Sequence, residues 1–230
     1  MQAVIMAGGT GSRLRHFTER LPKPLLKVGR LRVIERLIDN LQNAGVDSLI
    51  ISVAYMADEI MRVVRQWVYN RGVDVTWYDE GDRPLGTIGA LAMVAAELED
   101  VFYIANADIV TRVDFTRLAE HHVDEKAVLT IAAMEETSGS RFGILQVKND
   151  MVVGIAEKPV FQRFVNMGLY VAQKTIVQYI DEMTETGMDS VITKLCADKQ
   201  KVAYYLTSAY WRDIGTMRSL SEAREDYANE

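Results

Sequence analysis

The feature that most restricts this chain is an apolar run that stops on glycine. Ala3–Ala7 leads straight into Gly8-Gly9, as a buried parallel strand leads into a loop. The pattern recurs. Leu49–Val53, Val73–Tyr78 and Val101–Ala105 read as three more strands, the last ending at Asn106-Ala107-Asp108. Helical spacing fills the gaps. Ile34, Leu37, Ile38, Leu41 and Ala44 form one stripe, with Gly45 as its C-terminal cap. Met56, Ile60, Val63, Val64 and Trp67 form a second, and Ile88, Leu91, Ala92, Ala95 and Leu98 a third. A βαβαβαβ order of this kind predicts an α/β fold. Its Rossmann-like, mostly parallel sheet is flanked by helices on both faces. Ligands of such sheets bind at the carboxyl ends of the strands. Gly8–Gly11 and Asn106–Asp108 can therefore share one site.

The second half is less regular. Ala127–Met134, Gly143–Val147, Val152–Ala156 and Val165–Val171 read as strands, with Asn149-Asp150 as a hairpin turn. Helices are predicted near Thr175–Met183 and Ser190–Asp198, then a strand over Lys201–Leu206. A last helix, Ser219–Tyr227, follows Thr216 as N-cap. There is no internal repeat or long linker. The economical organisation is a single domain with a substrate-binding sub-lobe.

Charge narrows the partners. The 230 residues carry a net charge of −6 with no basic arm, which argues against a nucleic-acid surface. Positive charge for an anionic ligand must then be gathered locally, from individual Lys and Arg residues in loops. No stretch has the apolar length of a membrane span, and the N-terminal run is too short for a signal segment. A cytoplasmic protein without a membrane partner is expected. The single cysteine, Cys196, excludes an internal disulfide and reads as a packed core thiol beside Val191, Ile192 and Leu195. His121 and His122 read as solvated at a helix end, and His16 lies in a loop near Arg13.

Three glycines stand within Gly8-Gly9-Thr10-Gly11, before Ser12-Arg13-Leu14. Glycines there let backbone N–H groups approach an anion closely. The loop lacks the Gly-Lys-Ser/Thr of a Walker motif, and Leu14 stands where a dinucleotide fingerprint needs its third glycine. Two cations lie nearby in sequence: Arg13, and Lys23 within Leu21-Pro22-Lys23-Pro24-Leu25. The flanking prolines restrict the backbone at Lys23.

Taken together, Gly8–Leu14 and Pro22–Leu25 resemble the signature of the sugar-1-phosphate nucleotidyltransferases. Further blocks in matching order resemble the same family. They are Pro84-Leu85-Gly86-Thr87, Asn106-Ala107-Asp108, Arg141-Phe142-Gly143, Glu157-Lys158-Pro159, Asn166-Met167-Gly168 and Trp211-Arg212-Asp213. Two departures stand out: Ala107 replaces a usual glycine, and Arg30-Leu31-Arg32 replaces a usual Pro-Leu pair. The resemblance implies the nucleotide-diphospho-sugar transferase fold, with a nucleotide-binding half over about residues 1–110 and a sugar-binding half over about 111–230.

It also implies roles. Arg13 and Lys23 would bind the triphosphate and stabilise the transition state. Ala7, Gly8, Gly9, Thr10, Gly11, Ser12, Glu80, Pro84, Leu85, Gly86 and Thr87 would hold the nucleotide. Asn106, Gly143, Glu157, Lys158, Asn166 and Gly168 would hold the sugar phosphate. Asp108 and Asp213 would bind Mg²⁺, which takes one or two carboxylates plus phosphate oxygens. The implied substrates are an NTP and a sugar 1-phosphate. The implied reaction is in-line attack on the α-phosphorus, driven by positioning and charge neutralisation.

The acidic residues Asp79, Glu80 and Asp82 before Pro84 favour GTP, because guanine presents two adjacent donors that suit a carboxylate. UTP, CTP and dTTP stay open, as does the sugar. A cytidylyl- or uridylyltransferase for another sugar, or for a polyol or choline phosphate, is the alternative, although no aromatic cage for choline is found. A non-catalytic, nucleotide-sugar-binding subunit is third. A homo-oligomer also stays open: Leu220, Ala223 and Tyr227 of the last helix could pack on their own core or on a neighbour.

Overall fold

Every residue of β1 (Gln2–Ala7) is buried, as an apolar strand with neighbours on both edges requires. The computed structural model describes residues 1–9, 21–69, 71–81, 85–181 and 185–228. In it β1 pairs in parallel with β4 (Ser48–Val53) and with β6 (Val101–Asn106). β4 pairs in parallel with β5 (Asp74–Asp79). The other half of the sheet comes from β8 (Leu129–Gly139), β11 (Val160–Gln173) and β12 (Val202–Leu206). The seven strands run in the order β12-β8-β11-β6-β1-β4-β5. β11 alone is antiparallel, to both β6 and β8. The sheet is thus mixed and mostly parallel, as the sequence predicts.

Strand periodicity sends alternate residues to opposite faces, and both faces are covered. Ala3, Ile5 and Ala7 of β1 join one apolar cluster, with Ile34, Leu37, Leu41 and Val64. Val4 and Met6 join another, with Ile88, Leu91, Phe102 and Leu195. Helix α1 (Val33–Asn43) buries Ile34, Leu37, Ile38 and Leu41 and is followed by Gly45 at φ +83°. Helix α2 (Ala57–Val68) buries Ile60, Val63, Val64 and Val68.

Two short ladders lie outside the main sheet and feed the site. β2 (Lys27–Val28) pairs with β3 (Leu31–Arg32), and β7 (Ile109–Thr111) pairs antiparallel with β13 (Trp211–Asp213). The last helix, α6 (Met217–Asp226), is capped by Thr216, whose hydroxyl accepts from the Ser219 N–H at 3.1 Å. Its Leu220 and Ala223, with the following Tyr227, are buried against Leu26, Val28, Val110 and Ile214.

Two predicted helices differ. The stripe from Ile88 to Leu98 is broken into a four-residue helix, α3 (Ala90–Met93), and a single 3₁₀ turn over Ala95–Glu97. The segment before α3 is tied to another part of the chain. Ile88 N–H donates to Thr186 O, and Thr186 N–H to Leu85 O. The helix expected at Thr175–Met183 is a 3₁₀ segment, Lys174–Tyr179. Thr175, Ile176 and Val177 are β-branched in succession, which disfavours an α-helix. Lys174 is tethered there by its N–H to Asp100 O and by Nζ to Leu98 O.

Two side chains contradict their expected environments. Cys196 is exposed, not packed. In α5 (Met188–Ala197) the buried stripe is Met188, Val191 and Leu195, too narrow to include the next residue. His122 is 2% exposed, not solvated. It lies on the stripe Phe115, Leu118, Ala119, His122 of α4 (Phe115–Glu125), and its Nδ1 is 2.9 Å from Thr130 Oγ1.

Burial holds the His122 imidazole below its ordinary pKa, and His121 pushes the same way. A folded-state pKa below the unfolded one gives stability that is present above the unfolded value. That stability is lost as pH falls through the folded value. Thermal melts are therefore expected to weaken as pH drops below about 6.5, and to weaken less in His122→Gln. Parallel curves for the two proteins would remove His122 from that acid sensitivity.

Candidate active site

A cleft of about 860 Å³ opens at the carboxyl ends of β1, β4, β5 and β6. That is where a sheet of this kind takes its ligand, and the volume suits a small molecule. Ala7, Gly8 and Gly9 leave β1 into its wall. Glu80 and Gly81 come from the end of β5, and Asn106, Ala107 and Asp108 from the end of β6. Lys23, Leu85, Gly86, Thr87, Glu185 and Asp213 complete much of the rest. Thr10, Gly11, Ser12, Arg13, His16 and Pro84 lie outside the described residues.

Lys23 is held as its prolines imply. Pro22 is extended at φ −65°, ψ 149°, and Lys23–Leu25 forms one 3₁₀ turn with Pro24 and Leu25 buried. The turn is closed by Leu25 N–H to Pro22 O and Leu26 N–H to Lys23 O. The side chain, 11% exposed, reaches Asp108, with Nζ 3.2 Å from Oδ2. Lys23 is thus a largely desolvated cation on a rigid turn, facing a carboxylate.

The backbone brings Asp108 and Asp213 to the same wall. Ala107 N–H donates to Met6 O, which pins the end of β6 to β1. Ile214 N–H donates to Asp108 O at 3.0 Å, and the β7–β13 ladder sets Asp213 opposite Ile109. The Asp213 carboxylate folds over Gly215: a Cβ there would lie 2.9 Å from Oδ1. Two hard-oxygen donors thus stand at one end of the cleft, near a cation able to meet a phosphate.

Glu80 faces the glycine loop. A Cβ on Gly8 would come within 2.5 Å of Glu80 Oε1, so only glycine leaves room for this carboxylate. Ser52 Oγ donates to Oε1, and the Leu85 N–H donates to the same carboxylate. Burial holds its pKa above the ordinary carboxylate range. The bonds from Ser52 and Leu85 oppose that shift, and the Asp79 charge adds to it. Ser52 has no place in the sequence-based site. Its signal was a hydroxyl at a position that is 1% exposed, inside the otherwise apolar run Leu49–Val53.

Gly86 is at φ +79°, and a Cβ on it would lie 2.5 Å from Thr186 O. Leu85–Ile88 is therefore laid flat against the backbone of Thr186, with its outer side lining the cleft.

The sugar-side residues are more dispersed. Asn106 lines the cleft, whereas Gly143, Glu157, Lys158, Asn166 and Gly168 do not. Gly168, at φ +69°, sits against Asn106: a Cβ on it would be 2.6 Å from Asn106 Nδ2. It occupies a register shift between Asn166 and Tyr170. Asn166 holds that bulge. Its Oδ1 accepts from Gly168 N–H and its Nδ2 donates to Tyr170 Oη, both at 2.9 Å. Gly143 and Glu157 lie together, a Cβ on Gly143 being 2.9 Å from Glu157 Oε2. Lys158 is exposed, at φ 44°.

Mannose-1-phosphate guanyltransferase of Candida albicans is 29% identical over 223 residues, 94% of this chain and 61% of that protein. A probable mannose-1-phosphate guanylyltransferase of Oryza sativa is 28% identical over 95% of this chain and 62% of its own. The chain thus spans about three fifths of the length of these relatives. Among solved structures, HddC from Yersinia pseudotuberculosis, complexed with GMP-PN, is 27% identical. It matches with a TM-score of 0.74 over 98% of this chain and 99% of that one. A putative glucose-1-phosphate thymidylyltransferase from Bacillus anthracis shares the fold, at 23% identity. Its TM-score is 0.79, over 100% of this chain and 96% of that one. Residues 2–230 match the model of the nucleotidyl transferase family from end to end, and the chain belongs to that family.

Proposed function

We propose that this chain transfers the guanylyl group of GTP to a sugar 1-phosphate, giving a GDP-sugar and pyrophosphate. One observation carries the reading most: the Lys23–Asp108 pair, with Asp213 tied to it through the backbone, at the end of a nucleotide-sized cleft. The names of the relatives and the guanine nucleotide bound to HddC support the choice of base. Residues 1–110 would then form the nucleotide half and 111–230 the sugar half.

Each residue has a task that follows from its chemistry. The backbone of Gly8 and Gly9, with Arg13 in the same loop, receives the triphosphate. Lys23 meets phosphate oxygens and neutralises charge that grows as the sugar phosphate oxygen attacks the α-phosphorus. The bond from that phosphorus to the bridging oxygen breaks, and pyrophosphate departs. Little covalent work falls to the protein, and a site built of cations, carboxylates and backbone is sufficient. Glu80 accepts from N1–H and N2–H of guanine. Leu85 and Gly86 give the base a flat backbone surface. Asn106 and Gly168 border the sugar, Glu157 accepts from its hydroxyls, and Lys158 meets its phosphate.

Asp108 and Asp213 fit Mg²⁺: two carboxylates on one wall leave its remaining positions to phosphate oxygens and water. The ion supplies charge neutralisation and alignment of the phosphates when bound. A cytoplasmic setting agrees with such substrates.

The test is pyrophosphate release with Mg²⁺, each NTP and dTTP, and a panel of sugar 1-phosphates beginning with mannose 1-phosphate. Release that requires both substrates supports the reading. Silence with every pair, from protein that still binds nucleotide, would move the acceptor outside the sugars. In the same assay Glu80→Gln is expected to lower the preference for GTP over other nucleotides by about 10- to 100-fold, the worth of one good paired contact to a base. Unchanged selectivity would take base reading away from Glu80.

A further inference from the structure

Strand alternation decides what lies beside Glu80 inside the sheet. Register sets Ser52 of β4 opposite Met6 of β1 and opposite Tyr78 of β5. Side chains two apart on a strand share a face, so Gly8 and Glu80 fall on the face of that row, one step further toward the cleft. Glu80 N–H donates to Val53 O at 2.8 Å, which carries the parallel pairing one residue past the end of β5. Ser52 is 1% exposed, and its hydroxyl donates to Glu80 Oε1.

The rest of that face is apolar. Val4, Met6 and Ile50 share a buried cluster with Ile88 and Leu91, and Tyr78 and Leu85 pack against it. An alanine or valine would pack in such a row without needing a partner, whereas a buried hydroxyl costs free energy unless it is bonded. The carboxylate meets a donor from each of two elements: Ser52 from β4, and Leu85 N–H from the loop before α3. Gly8 leaves the space that any side chain would close. Two donors match an ionised carboxylate, which only accepts; a protonated carboxyl carries a donor of its own. The same distinction governs the base, because guanine presents two adjacent N–H donors and needs an acceptor for each.

We propose that Ser52 is a positioning residue for base selection, its hydroxyl keeping Glu80 aimed and ionised so that the cleft accepts guanine. This rests on the reading of Glu80 as the group that meets the base. Ser52 itself does not line the cleft, so its effect passes through Glu80. The surroundings make the hydroxyl matter. Burial raises the Glu80 pKa and the Asp79 charge adds to the rise, while the bonds from Ser52 and Leu85 oppose it. Tyr78, on the same strand, has its own pKa raised by burial and then by Glu80. Across the cleft stand Tyr55, Glu185, Asp213 and Lys23, the last facing Asp108 at 3.2 Å. Arg13, Asp82 and Arg83 lie outside the described residues. Removing the hydroxyl takes away the larger of the two opposing bonds, so protonation of Glu80 sets in at a higher pH.

The test is the ratio of kcat/KM for GTP to that for UTP, with one sugar 1-phosphate, at about pH 6 and about pH 8. The ratio cancels changes common to all nucleotides, and kcat/KM reports ionisation in the free enzyme. Ser52→Ala is expected to lower the ratio about 10-fold at the lower pH, the worth of one hydrogen bond to a charged group, and to regain most of it at the higher. Ser52→Thr, which keeps the hydroxyl, should hold the parent's ratio at both. A Ser52→Ala ratio equal to the parent's, or a loss of the same size at both pH values, would overturn the proposal. Should Ser52→Ala fail to fold, Ser52→Cys decides on the same criteria, since a thiol fills the space but donates weakly. Glu80→Gln separates the two readings. If it leaves the ratio unchanged, base reading by Glu80 falls and the role of Ser52 falls with it. If it lowers the ratio while Ser52→Ala does not, the role of Ser52 alone falls.

Discussion

Asp108→Asn is expected to lower kcat by about two to three orders of magnitude, the usual loss when one preorganised charge is removed from a transition state. The change is nearly isosteric. The Asp108 carbonyl still accepts from Ile214 N–H, so the wall that carries Asp213 should keep its shape. What disappears is a formal charge facing Lys23 at 3.2 Å and one of two oxygen donors suited to Mg²⁺. Nucleotide binding in the absence of metal should change little, because the glycine loop and Lys23 remain. The check pairs pyrophosphate release with a thermal melt. A kcat within tenfold of the parent in a protein of unchanged stability would remove Asp108 from the chemistry.

Gly86→Ala is expected to damage both stability and nucleotide binding. The new Cβ would lie 2.5 Å from Thr186 O and 2.8 Å from Thr186 N and C, at a backbone φ of +79°. Neither partner is the yielding tip of a side chain. Thr186 is 3% exposed and bonded on both sides, to Leu85 O and from Ile88 N–H. Left-handed strain costs of the order of 1–3 kcal/mol, and overpacking a similar amount. A loss of roughly 2–4 kcal/mol follows if the loop holds its place. If it yields, Leu85–Ile88 lifts from Thr186 and the surface proposed for the base is lost. The KM for nucleotide should then rise more than tenfold, with kcat affected less. Chemical denaturation and the KM-against-kcat comparison separate the two responses. A variant unchanged in both would show that the loop has no fixed seat.

Much of the first half of the chain was legible because its signals are local. Apolar runs ending on glycine or asparagine, and stripes at helical spacing, are fixed by neighbours in the chain. The prolines around Lys23 also carried their meaning in the sequence, Pro22 being extended and Pro24 buried in the turn. Other features depend on pairing at a distance. Val165–Val171 reads as a short strand, yet β11 has fourteen residues, because β8 pairs with it near both ends and β6 joins it over Leu169–Gln173. Cys196 was misplaced by one step around a helix, a phase that only the opposing sheet decides, and His122 was read as a solvated helix end although it lies on the buried stripe. Ser52 supports Glu80 from a neighbouring strand, and no spacing rule joins those two positions.

The antiparallel placement of β11 has a consequence for synthesis. β6 lies in the middle of the finished sheet, but its neighbour on one side emerges from the ribosome only after the whole hairpin of β9 (Ile144–Lys148) and β10 (Met151–Ala156). At 5–20 residues per second, the apolar edge of β6 waits several seconds, on the order of the translation time of that stretch, for its partner. During that interval the first half presents an unpaired, largely apolar strand edge to the cell. A chaperone that holds nascent chains would find its binding segment there, and slow codons between β6 and β11 would lengthen the exposure.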